Sequence, residues 1–167
     1  SIKDFTITNN IIKTKEYINE HLMPIIISCD EPLEGNIFML HHTTNYTDIW
    51  LNKQKNISNL TLNKSIKNVM EIGFNSGFST LLMLLTNSNI NITCFDLGEH
   101  KYTLPCYEKI KETFSNKDLF NFIKDNLSFD QLIWEFGNDE EPKWIHVSYK
   151  KESNRKQVLK AKRIDGK

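Results

Sequence analysis

Val69-Met70-Glu71-Ile72-Gly73-Phe74-Asn75-Ser76-Gly77-Phe78-Ser79 decides how the chain is read. Its first four residues are apolar but for one acid and suit a buried strand. Two glycines follow, and then a run dense in Leu and Met, Phe78–Thr86, that suits a buried helix. Gly73 permits a tight turn off the strand, and Gly77 lets backbone approach a ligand at the helix start. The N–H groups of that first helical turn favour an anion or a polar group.

Working outward, residues 67–73 form the strand and residues 90–96, Ile-Asn-Ile-Thr-Cys-Phe-Asp, alternate as a second strand should. The second strand ends on Asp96, 25 residues after Glu71. An acid at that tip is placed to accept hydrogen bonds from ribose hydroxyls. Asn75 fills the place of the middle glycine of a dinucleotide fingerprint, which favours a nucleoside ligand without a pyrophosphate. The same glycines also suit a plain turn and a helix-packing contact, with Asp96 as a strand-end cap. Pro105–Phe114 reads as a helix, so residues 67–114 run strand–helix–strand–helix, the pattern of a parallel α/β sheet.

Upstream, residues 11–22 read as a helix stopped by Pro24, 28–36 as a loop and 45–59 as a weaker helix. Downstream of a seam near Ser115–Lys117, Asp118–Asn126 reads as a short amphipathic helix. Residues 129–136 and 143–149 read as strands joined by an acidic turn over 137–142, which makes an antiparallel hairpin. Trp134 and Trp144 are expected to pair across that hairpin as core. Residues 153–163 read as a basic terminal helix.

Lys+Arg and Asp+Glu are both 21, so no net charge draws the chain to nucleic acid or an anionic membrane. No apolar run approaches the roughly 18–20 residues of a membrane span. Nineteen Lys against two Arg, with 20 Ile and 19 Asn, is the signature of AT-rich codon usage. Cys29, Cys94 and Cys106 include no CxxC pair, which speaks against a disulfide scaffold and a Cys-type zinc site. The first residue is Ser1, so a processed or cropped start is expected. No basic stretch followed by an apolar core opens the chain, and the expectation is a cytoplasmic protein, in the host cytoplasm if the source is viral.

Residues 68–114, with the glycine turn and then Cys94-Phe95-Asp96-Leu97-Gly98-Glu99-His100-Lys101-Tyr102, resemble class I S-adenosylmethionine-dependent methyltransferases, especially viral and environmental members. The resemblance implies a cofactor site in which Glu71, Gly73, Phe74, Asn75 and Gly77 cradle the amino-acid part and Asp96 holds the ribose. It implies S-adenosylmethionine as cofactor and an unknown methyl acceptor as partner; the composition points to no membrane and gives no indication of nucleic acid. Such enzymes have about seven strands, and here the family pattern stops after the second strand and its helix. The expected fold class is therefore α/β, a truncated Rossmann-like sheet with a C-terminal antiparallel hairpin. The hairpin over 129–149 would then extend the same sheet.

Residues 117–167 resemble the C-terminal part of M15-type zinc D-Ala-D-Ala peptidases, in Phe129–Phe136, Trp144–Tyr149 and Asn154–Leu159. That likeness implies His146 as a zinc ligand and Glu135 as general base beside a metal-bound water. The family takes its other ligands from a His-x6-Asp motif. His41 and Asp48 have that spacing without the motif's flanking residues, so the spacing reads as coincidental. His41-His42 reads as a loop pair. The organisation expected is a methyltransferase-like segment over 1–115 and a peptidase-like segment over 116–167, packed as one domain or two. Methyl transfer leads, with no catalytic residue assigned. A zinc-dependent D,D-peptidase of peptidoglycan comes second, and a non-catalytic fused remnant or an artificial fold third.

Overall fold

A computed structural model describes residues 1–136 and 142–162, without the side chains of Ser115 and Asp118. The chain divides into two compact units, Ser1–Ile110 and Lys111–Lys167, with the boundary inside one helix, a few residues before the expected seam.

The first unit opens with α1, Ile2–Tyr17, whose N-terminus is closed by a capping box between Ser1 and Asp4. Its buried stripe is Ile7, Asn10, Ile11, Thr14 and Tyr17. The helix thus starts well before residue 11, because two polar residues share the inward face. The Thr14 hydroxyl satisfies itself by donating to the Asn10 carbonyl at 2.7 Å. Pro24 does not stop the helix. The chain widens into a π turn, Ile18–Leu22, where the Met23 N–H reaches back five residues to the Ile18 carbonyl. It then continues as α2, Met23–Ser28, with the proline in the first turn, where a missing N–H costs little.

The third helix, α3 (Leu51–Thr61), and the fourth, α4 (Phe78–Thr86), pack on each other and on α1. Phe78, Leu81 and Leu82 of α4 are at most 2% exposed, and Phe38 meets Phe78 edge to face. Strands β1, Asn68–Ile72, and β2, Asn91–Phe95, pair in parallel with Ile72 opposite Phe95. The crossover through α4 that a parallel pair requires sets the glycine turn at the C-terminal end of β1.

Helix α5 is one helix, Thr103–Asn126, where the sequence suggested two. In the second unit its Phe120 and Ile123 form a small core with Phe129 and Leu132, against which Trp134 and Ile145 pack. The sheet here has order β4-β3-β5, with β3 Gln131–Glu135, β4 Trp144–Ser148 and β5 Gln157–Ala161. The β3–β4 hairpin is antiparallel, as expected, and its strands form no ladder with β1 or β2. Both edges of β3 are already taken, because β5 lies parallel on the side away from β4. The basic segment over 153–163 therefore contains a strand rather than a helix. Register sets Trp134 opposite Ile145 and Trp144 opposite Glu135, so the two tryptophans lie on opposite faces. Trp134 joins the core, and Trp144 stays half exposed. The expected acidic turn lies outside the described residues except for Pro142, as does Arg163 of the basic run. No described helix is long and apolar enough to cross a membrane. The three cysteines are free thiols.

Candidate functional site

The turn after β1 has left-handed backbone at Gly73 (φ 84°), Asn75 (φ 55°) and Gly77 (φ 78°). Asparagine is among the few side chains that tolerate this region, which is why Asn75 substitutes for a glycine. The loop is tied to the tip of β2. The Gly73 N–H donates to the Phe95 carbonyl at 2.7 Å, and the Asn75 N–H donates to the Asp96 carboxylate at 2.7 Å. The other oxygen of Asp96 accepts from the Gly98 N–H at 2.7 Å. Partial burial opposes the charge on Asp96, and the amides of Asn75, Gly98 and Phe74 outweigh it, holding the carboxyl below the usual carboxylate range. Asp96 thus serves as the anion of the loop's own amide cluster, as well as an acid at the strand tip.

Glu71 faces α4. Its carboxylate accepts from the hydroxyls of Ser79 and Thr80, and the Cys94 thiol donates to it at 3.5 Å. Burial pushes the Cys94 thiol up to about 11, against the hydrogen bond from Thr80 and with the help of Glu71, so it stays protonated. Three donors therefore fix one carboxylate at the foot of the helix.

A cleft of about 750 Å³ opens over these groups. Glu71, Gly73, Asn75, Ser79 and Asp96 line it, together with Ile37 and Lys53. A Cβ added at Gly73 would meet nothing within 4 Å, so the backbone there is bare to the cleft. Asn75 Oδ1 is buried without a hydrogen-bond partner among the described residues. Gly77 is the N-cap of α4, and no side chain caps that end. Phe74 turns its ring inward, 4% exposed and edge-on to Tyr107, leaving only its backbone near the cleft. Gly77 is packed between Phe74 and Ile110.

His100, which the sequence did not single out, borders the same cleft. Its Nδ1 lies 2.6 Å from Glu31, and the other oxygen of Glu31 accepts from the Lys101 N–H at 3.0 Å. The Glu34 N–H donates to the buried Tyr102 hydroxyl at 3.2 Å. These bonds clasp the loop over 30–36 to the loop after β2 and fix the rim. The separation of 69 positions between His100 and Glu31 explains why no local pattern announced the pair.

The chain matches no family model, no curated protein and no solved structure.

The peptidase-like residues are placed as follows. His146 stands opposite Ile133, on the same sheet face as Glu135, and its Nδ1 is 4.0 Å from the Glu135 carboxylate. His41 and Asp48 belong to the first unit and are exposed, with His41 stacked on His42 at 3.8 Å between ring centres. His42 in turn lies 3.0 Å from Glu34. Among the described residues no group of three His, Cys, Asp or Glu side chains is arranged to hold a metal ion. A catalytic zinc needs three protein ligands, so the described residues do not fit one.

Proposed function

We propose that the first unit binds S-adenosylmethionine and serves methyl transfer, as the α/β half of a Rossmann-like domain. The observation that carries the reading is convergence. The bare backbone of Gly73, the Glu71 carboxylate and the strand-tip acid Asp96 open onto one cleft. The donor set fits the chemistry of that molecule. Asp96 retains a lone pair for a ribose hydroxyl after accepting from the amides of Asn75, Gly98 and Phe74. Glu71 offers a fixed negative charge for an ammonium, and the uncapped N-terminus of α4 suits a carboxylate. The loop amides already engaged by Asp96 are unavailable to a pyrophosphate, which is consistent with a nucleoside-type ligand.

The sulfonium of the bound cofactor supplies an electrophilic methyl group. The chain's part is to bind and orient, which can supply much of a rate when the acceptor is already nucleophilic. Calorimetric titration with S-adenosylhomocysteine tests this reading. Micromolar binding is expected, weakened at least tenfold in Asp96→Ala and in Glu71→Gln, with circular dichroism of each variant unchanged. No heat at millimolar ligand would overturn it.

A further inference from the structure

The parallel pair β1–β2 leaves one face bare. Register puts Asn68, Met70 and Ile72 on the same face as Asn91, Thr93 and Phe95. On that face Met70, Ile72 and Phe95 are 68%, 81% and 56% exposed, and Leu97 just beyond is 88% exposed. The polar members lie at the N-terminal end, so the apolar patch gathers at the C-terminal end. There Ile72, Phe95 and Leu97 also wall the cleft. Parallel sheets occur almost only with both faces covered, because their strands carry apolar residues on both sides. This sheet has two strands, and neither is paired with another described strand.

The area decides what could cover it. Four large side chains at these exposures present on the order of 600 Å², the upper end of what a monomer keeps contiguous. Two such faces stacked would remove at most roughly 1,200 Å² from water, the lower bound for a specific interface. The rim supplies the second condition. Lys53 on α3 and the acids Asp96 and Glu99 after β2 border the patch's cleft end. A rim carrying both signs can set opposite charges against its own copy, whereas a rim of one sign would repel it. A two-fold contact requires that self-complementarity.

We propose that this face is covered by the same face of a second copy of the chain, across a two-fold axis. The second copy then closes the open side of the cleft. The pairing itself does not depend on the cofactor reading, and only this consequence rests on it.

Sedimentation velocity on the full chain without ligand, from about 1 to 200 μM, tests the pairing. The weight-average mass is expected to double across that range. Ile72→Lys with Leu97→Lys should keep the chain monomeric at every concentration. Both side chains are exposed in the single chain, so circular dichroism and Tm, taken at a concentration where wild type is monomeric, should not move. A wild-type chain that stays monomeric overturns the proposal, and so does a double variant that dimerises as well as wild type. Hydrogen exchange adds a separate check. Protection of residues 70–72 and 93–95 that rises with concentration supports the pairing. Protection that does not change with concentration overturns it. S-adenosylhomocysteine binding, measured in parallel at a concentration where the chain is monomeric, tests the cofactor reading separately from the mass.

Discussion

Gly77→Ala is expected to destabilise the first unit by about 3 kcal/mol, the sum of left-handed strain and overpacking. The backbone at Gly77 has φ 78°, a region that costs any side chain with a Cβ. The added methyl would also lie 2.4 Å from Cζ of Phe74, 2.7 Å from Cδ1 of Ile110 and 2.8 Å from Cε2 of Phe74. Neither neighbour can yield. Phe74 is 4% exposed with its ring edge-on to Tyr107, and Ile110 is 3% exposed. In thermal unfolding this corresponds to a Tm lowered by more than about 10 °C. Gly73→Ala is the control. Its φ is 84°, but its Cβ would meet nothing, so only the strain is expected, about 1–2 kcal/mol. The two variants should separate further in binding, since the Gly73 methyl projects into the cleft while its unit stays folded. Equal losses of stability at both positions would mean that the contacts around Gly77 are looser than described.

This pair of glycines shows why some of the site was legible in sequence. A turn that needs left-handed backbone favours Gly and Asn, so Gly73, Asn75 and Gly77 mark the loop locally. The acid at the tip of β2 follows from strand length and spacing. What stayed hidden depends on distant partners. The first turns of α1 bury Asn10 beside Ile7 and Ile11, which blurs the apolar period. Ser115-Asn116-Lys117 has the composition of a break, yet α5 runs through it, a case of context overriding weak local preference. Gln157–Ala161 has no strand signature beyond Val158, and it is a strand because β3 offers an open edge. The His100–Glu31 clasp is a contact between loops far apart in sequence. Rim residues of this kind leave no periodic trace.

Asp130→Asn is expected to lower the Tm of the second unit by roughly 5 °C or more at pH 7, through loss of a charge-assisted bidentate pair. Asp130 precedes β3, and its carboxylate is enclosed, 4% exposed. Its two oxygens accept from Arg155 Nε at 2.8 Å and Nη2 at 2.7 Å, and Lys150 lies 3.2 Å away. Arg155 and Lys150 belong to the segment that carries the chain from β4 to β5, on opposite sides of β3. The backbone reinforces the placement, since the Asp130 N–H donates to the Ser148 carbonyl and the Gln157 N–H donates to the Asp130 carbonyl. One carboxylate thus pins the crossing that β5 needs. The Arg155 hydrogen bonds, against the opposing effect of burial and with help from Lys150, hold Asp130 well below the usual carboxylate range. A depressed folded pKa contributes stability that is complete above the unfolded value, about 4, and fades as pH falls below it. The gap between wild type and Asp130→Asn should therefore be flat from pH 7 to 5 and narrow from pH 4 to 2. Both cations are about half exposed, so added salt should shrink the gap at neutral pH as well. Arg155→Lys should fall between the two, because a lysine keeps the charge and loses the fork. Tryptophan fluorescence in a Trp50→Phe background reads this unit alone, through Trp134 and Trp144. A gap that stays constant down to pH 2 would show that the side chain's shape, rather than its charge, holds the crossing.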